Sequence, residues 1–169
     1  MQPLEKIAWI LLLESDIGGV DKIAREIHRA LPEREDVFAE KLRLFPSGCF
    51  KLMFEGKMAG YAFSHPWNLY SIPLLNDFLR ALPDNPDCLY IHDVAILPTA
   101  RGRNAAGLFI AEVIKVAQEM HIPHLACVSV YGTDALWARF GFRTVTSAEI
   151  APKLSDYGES AKYMIANLR

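Results

Sequence analysis

Ile91–Leu108, read IHDVAILPTARGRNAAGL, is the stretch that decides how this chain is understood. An apolar run with strand character ends at Pro98. A short turn follows with Arg101, Gly102 and Arg103, and from Ala105 the residues take helical spacing. Strand, basic small-residue turn and helix start, in that order, make an anion site. The first N–H groups of a helix lack intrahelical partners, and the helix dipole is positive at that end. Two arginines add charge, so the expected guest is a phosphate or pyrophosphate. The pattern is not a dinucleotide fingerprint, which wants GxGxxG directly after an N-terminal strand. Nor is it a Walker loop, which wants GxxxxGK[ST].

Working outward, the spacing predicts a central strand over Cys88–Leu97 and a helix over Ala105–Met120, with Leu108, Phe109, Val113, Ile114 and Ala117 inward. A strand over His124–Val130, a short helix over Thr133–Phe140 and strands over Arg143–Thr146 and Lys162–Leu168 follow. Upstream, Met1-Gln2-Pro3-Leu4-Glu5-Lys6 leads into an apolar run that gives a strand over Trp9–Leu13. Val20, Ile23, Ala24 and Ile27 mark one helix, and a second is expected over Glu33–Leu44. Strands over Phe50–Phe54 and Met58–Phe63 flank Glu55-Gly56-Lys57, a hairpin signal. Ser64–Asp87 reads as irregular chain with a short helix through Leu75 and Leu79. The unit from Cys88 to Val130 should be parallel and right-handed. The expectation is an α/β (α+β) fold, a mixed and mostly antiparallel sheet of six to seven strands with helices on both faces, in one domain spanning 1–169.

Bulk composition narrows the function. The chain has 169 residues, 51% hydrophobic and 22% charged, with net charge −2. No global basic field favours nucleic acid, so an anion site must be local. The run Ile7–Leu13 is too short to span a bilayer and reads as a strand rather than a signal peptide. Cys49, Cys88 and Cys127 are odd in number, far apart and without a CxxC pair. That argues against a disulfide framework or a zinc cage and fits a cytoplasmic protein. His121 and His124 flank Ile122-Pro123 and lack a third ligand, so no metal site is expected. His28 falls on a polar helix face and reads as solvated, and Cys127 reads as core.

Arg101-Gly102-Arg103-Asn104-Ala105-Ala106, preceded by Val94-Ala95-Ile96-Leu97-Pro98, resembles the acyl-CoA loop of the GNAT superfamily of N-acetyltransferases. The family pattern is Arg/Gln-x-x-Gly-x-Gly/Ala. Arg101 and Ala106 match its ends. Asn104 replaces the middle glycine, and Asn tolerates left-handed backbone next best after Gly. Ala135–Phe142, ALWARFGF, resembles the family's later helix with its Gly-Phe ending. The resemblance implies that the central strand and its parallel neighbour splay apart. Pantetheine would then bond to the edge at Val94, Ala95 and Ile96. The pyrophosphate would sit on the amides of Gly102, Arg103, Asn104, Ala105 and Ala106, with Arg101 and Arg103 beside it. Thr133 and Trp137 would flank the pantetheine and thiol end. The implied activity is transfer of an acetyl group from acetyl-CoA to a primary amine of a small molecule or peptide, by direct attack in a ternary complex. A non-catalytic acyl-CoA-binding or regulatory domain is the alternative. Homodimers are common in the family.

Amide formation needs a group to take the amine's proton. The resemblance points to the central strand, where His92 and Asp93 are the candidates. An imidazole titrating near ~6.5 can act at neutral pH, whereas Asp93 would need burial or an intervening water. Strand alternation puts the two on opposite faces unless a bulge intervenes, so parity does not choose between them. A backbone N–H within Val94–Ile96 would meet the developing oxyanion. Where the family often carries a tyrosine for the leaving thiolate, this chain has Trp137, which has no O–H; Tyr131 lies near in sequence. His65, Trp67 and Tyr70 are expected on the acceptor side, and Asp77, Asp84 and Asp87 would favour a cationic acceptor if they faced it.

Overall fold

The computed structural model describes residues 6–168; the lead-in at 1–5 and the end of the chain at 169 lie outside the described residues. One mixed sheet of seven strands organises them, in the order β1-β2-β3-β4-β5-β7-β6. The strands are β1 (Ile7–Leu11), β2 (Cys49–Phe54), β3 (Lys57–Trp67), β4 (Cys88–Ile96), β5 (His124–Ser129), β6 (Arg143–Thr144) and β7 (Lys162–Asn167). The helices are α1 (Ile17–Ile27), α2 (Glu35–Leu44), α3 (Ala105–Glu119), α4 (Asp134–Ala138) and α5 (Ala151–Leu154). Every pairing is antiparallel except β4 with β5.

Helices cover both faces because their apolar stripes match the two sides of the pleat. Under α3, Ala105, Phe109, Ile110, Val113 and Ala117 pack on Leu52, Leu89, Ile91 and Leu125. Ile110 takes the inward place expected of Leu108, which is exposed. The opposite face holds α1 and α2, with Val20, Ile23, Phe38 and Leu42 against Tyr61, Phe63 and Ala95. The Trp9 indole donates to the Ala105 carbonyl at 2.8 Å and ties the first turn of α3 to β1.

Two differences from the sequence reading shape the site. First, β3 does not stop at Phe63 but runs to Trp67, through Pro66. Its pairing with β2 ends at the Cys49–Phe63 rung, while β4 accompanies it to the end. Pro66 therefore lies where β3 has become an edge, the one place a strand tolerates a residue without an N–H. Second, no helix forms through Leu75 and Leu79. The buried carboxylate of Glu40 on α2 instead accepts the amides of Leu79 (2.6 Å) and Arg80 (3.0 Å), holding the segment as irregular chain.

Candidate active site

The parallel pair β4–β5 is short. Its register runs only through Leu89–Leu125, Tyr90–Ala126 and Ile91–Cys127. Beyond Ile91 the strands part, and β4 continues alone on that side through Val94, Ala95 and Ile96. A cleft of about 930 Å3 opens in the gap, an ordinary size for a small-molecule site. Val94–Ile96 form one wall, Cys127 and Val128 the other, and Thr133, Leu136 and Trp137 flank it beyond β5.

At one end stands the turn that opens α3. Gly102 and Asn104 both have left-handed backbone, at φ +76° and +58°. Asn104 thus does what a glycine would do there. The first helical hydrogen bond runs from Leu108 N–H to Asn104 C=O at 3.0 Å, so the amides of 105–107 precede it. Small residues leave that end accessible, and a Cβ on Gly107 would collide with the Asn104 side chain. Arg101, Gly102, Asn104, Ala105 and Ala106 all line the cleft. Arg101 folds back to donate from Nε to the Ile96 carbonyl at 3.2 Å. Arg103 does not line the cleft: its guanidinium lies over the Phe54 ring at 4.5 Å, on the β2 side of the turn.

At the other end the bulge settles the parity of His92 and Asp93. Phe63 pairs with Asp93 and Ser64 with Ile91, leaving His92 as the extra residue. Leu89 and Ile91 enter the core beneath α3 and Tyr90 and Ala95 the opposite face. With one residue inserted, His92 and Asp93 both turn to the Tyr90–Ala95 face. There they meet the chain between α1 and α2, and each finds a partner.

His92 Nε2 lies 3.2 Å from Glu33 Oε1, and the two side chains are 1% and 5% exposed. Burial would raise the Glu33 carboxyl, but the charge and hydrogen bond of His92, the Lys41 ammonium and the Asn76 amide outweigh it and hold it at about 2. Asp93 Oδ1 lies 2.7 Å from His28 Nε2, a contact that becomes an ion pair when the imidazole is protonated. Asp93 Oδ2 accepts the Tyr61 hydroxyl at 2.7 Å. Burial disfavours charge on His28, but Asp93 overcomes it, with help from Glu33 and the Val94 backbone, and the imidazole is shifted up. Across the cleft the Tyr131 hydroxyl stands 3.2 Å from His28 Nδ1, and the two rings stack at 5.8 Å.

His28 is therefore not the solvated helix-face residue that its neighbours in sequence suggested. It stands at the C-terminal cap of α1, with its side chain only 12% exposed. Glu33, Tyr61 and Tyr131 join the site from three other segments. Tyr131, two residues before Thr133 at the N-cap of α4, was the one visible hint, and it gave no direction.

The acceptor-side expectation needs correcting. His65, Trp67 and Tyr70 do not line the cleft. The extension of β3 buries His65, 1% exposed, against Trp67, Tyr90 and His92. Burial, then the charge of His92, pushes its imidazole down to about 3. Tyr70 leans on Tyr163, whose hydroxyl accepts its amide at 2.9 Å. Asp77 and Asp87 accept amides of their own segment, from Phe78 and Leu69. Glu26, Ile27, His28, Leu31, Glu33 and Leu75 line the cleft instead. Cys127 lines the cleft, yet burial raises its thiol well above the ordinary range. Among the described residues no group of three or more His, Cys, Asp or Glu could hold a metal ion, and no helix is long and apolar enough to cross a membrane.

Comparison with known proteins agrees with this geometry. Ard1 from Thermoplasma volcanium superposes with a TM-score of 0.74 at 12% identity, over 96% of this chain and 98% of that one. The GphF GNAT-like decarboxylase, in complex with isobutyryl-CoA, gives 0.78 at 15% identity over 96% and 100%. The ribosomal-protein-S18-alanine N-acetyltransferase from Escherichia coli gives 0.67 at 18% over 96% and 94%. Such identities speak for the fold alone. No curated protein matches the sequence. The sequence profile of the acetyltransferase (GNAT) family matches residues 19–142, well over half of the chain, from within α1 to the end of the Gly141-Phe142 pair. With the splayed strands, the left-handed turn and that match in hand, the chain belongs to the acetyltransferase (GNAT) family.

Proposed function

We propose that this protein is an acetyl-CoA-dependent N-acetyltransferase, passing the acetyl group to a primary amine of a small molecule or peptide by direct attack within a ternary complex. One observation carries the reading. The unpaired edge of β4 at Val94–Ile96 runs straight into a turn and helix start whose amides are open to the same cleft. The edge has the donors and acceptors to align the pantetheine amides. The amides of Gly102–Ala106 and the positive end of α3 suit a pyrophosphate. Arg101 adds charge there, and Arg103 contributes through its backbone. Thr133 and Trp137 close the pantetheine side, and a β4 amide near Val94 stands where the carbonyl oxygen would gain charge.

For the amine's proton the reading relies on the β4 pair. Both residues border the cleft, but His92 is bound to the nearly buried Glu33, whereas Asp93 leads through His28 to the exposed Tyr131. The fold by itself does not select the reaction, since it is shared by proteins named for acetyl transfer and for decarboxylation. Proton-handling groups at the open end of the strand gap favour transfer over passive binding. The test has two arms. Millimolar acetyl-CoA should raise the melting temperature. Free thiol should appear when a panel of polyamines, lysine peptides, peptide N-termini and aryl amines is offered. A folded protein with no thermal shift overturns the reading. A shift without turnover on any amine replaces it with an acyl-CoA-binding domain.

A further inference from the structure

We infer that Asp93, His28 and Tyr131 form a proton relay, with the Tyr131 hydroxyl as the group that meets the reacting atoms; this rests on the acetyltransferase reading above. Three segments converge to build it. The bulge of β4 supplies Asp93, the cap of α1 supplies His28, and the turn after β5 supplies Tyr131. Carboxylate, imidazole and hydroxyl follow one another at 2.7 and 3.2 Å. That is the order in which a carboxylate orients an imidazole and the imidazole accepts from a hydroxyl. The second oxygen of Asp93 is held by Tyr61, which is fully buried, so the carboxylate cannot swing away.

The accessibility gradient runs the right way. Asp93 and His28 are 11% and 12% exposed, whereas Tyr131 is 51% exposed and lines the cleft. Tyr131 also takes left-handed backbone, φ +57°, in the same turn as Gly132 at +72°. A bulky residue accepts that only where its surroundings fix it. Here the ring stack on His28 does so. Trp137, which has no hydroxyl to offer, turns its ring to Phe142 at 5.2 Å.

The proton accounting closes on the relay itself. As the amine nitrogen bonds to the thioester carbon, Tyr131 O takes the amine proton and passes its own to His28 Nδ1. Asp93 steadies the resulting imidazolium. When the C–S bond breaks and its electron pair stays on sulfur, His28 returns a proton through Tyr131 to that sulfur. The amine's proton is thus replaced by one on the thiol, with no external acid or base.

Tyr131→Phe keeps the ring stack and removes the hydroxyl. Its kcat should fall about 100-fold, within the usual range for a lost acid–base group, with the acetyl-CoA thermal shift unchanged. His28→Gln should lose a similar factor, and the double variant should be no worse than the worse single one. In the wild type, kcat/KM should rise with pH through the His28 midpoint. The groups facing that imidazole are Asp93 and the Val94 backbone on β4, Glu33 before α2 and Tyr131 after β5, with Tyr61 of β3 behind Asp93. Asp93→Asn should move the limb to lower pH. Full turnover in Tyr131→Phe, or single losses that multiply in the double variant, overturns the relay and leaves the acetyltransferase reading standing. If the wild type transfers to no amine, that reading fails by itself, and NMR titration of the His28 ring then judges the relay. A midpoint above ~6.5 that falls in Asp93→Asn and moves in Tyr131→Phe supports it. A midpoint near ~6.5, indifferent to both changes, overturns it.

Discussion

Two carboxylate–histidine pairs hang from adjacent residues of β4, and they are built for opposite purposes. His92–Glu33 is sealed, with 1% and 5% of its side chains exposed, and Glu33 also carries the Asn76 amide. His28–Asp93 is several-fold more open on the histidine side and ends on an exposed tyrosine. The same chemical pair is a brace in one place and a working group in the other. What separates them is the exposure of the last partner, 5% for Glu33 and 51% for Tyr131.

The largest expected effect breaks the brace. Glu33→Ala leaves the imidazole of His92 buried without its partner and should cost about 3–5 kcal/mol in chemical denaturation, the usual penalty for orphaning half of a buried ion pair. Asp93→Asn should cost clearly less stability and most of the turnover. The comparison collapses if Glu33→Gln leaves stability intact and abolishes turnover.

Acid should expose the same contrast, at a few kcal/mol by pH 4. Folded His65 stays neutral down to about 3, whereas the unfolded chain protonates it below ~6.5, so stability falls as pH drops through that interval. The stability from Glu33 is present above ~4.5 and is lost as pH falls towards about 2. His28 works in the other direction. Its raised midpoint stabilises fully below ~6.5, and that contribution disappears as pH rises through the folded value. Denaturation curves across pH 3–8 should therefore steepen on the acid side, and His65→Asn should flatten them.

At the anion end, Gly102→Val forces a β-branched residue into φ +76° and should cost about 1–2 kcal/mol. It should also weaken acetyl-CoA binding at least about tenfold, read as the loss of the thermal shift. Asn104→Gly should change stability by only a few tenths of a kcal/mol. The smallest effect is expected from Trp137→Tyr. If Tyr131 already moves the proton, placing a hydroxyl at 137 should change kcat by less than about twofold. A large gain there would move the proton duty back to α4.

Much of this was legible in the chain. The strand–turn–helix at 91–108 and the Gly-Phe helix end placed the cleft because they are local patterns, each spelled out by consecutive residues. Even the tolerance of Asn104 for left-handed backbone could be read from its side chain alone. The proton-handling groups were not legible, for three physical reasons. A bulge leaves no mark in sequence, so alternation could not say which face His92 and Asp93 take. His28 and Glu33 reach β4 from some sixty residues away, and a polar residue at a helix end looks the same whether it meets water or a carboxylate. The run of β3 beyond Phe63 was missed as well, because nothing nearby shows that β2 has stopped pairing there and leaves an edge that tolerates Pro66.

The shortness of the β4–β5 contact has a mechanical consequence. Among the described residues, three rungs are the only sheet register joining the block β1–β4 to the block β5–β7. That makes the gap a seam, and a molecule lying along it would act as a stitch. Backbone amides of Val94–Ile96 should trade their hydrogens with solvent quickly in the free protein and slow sharply once the seam is sewn, while those of the β2–β3 ladder should hardly notice.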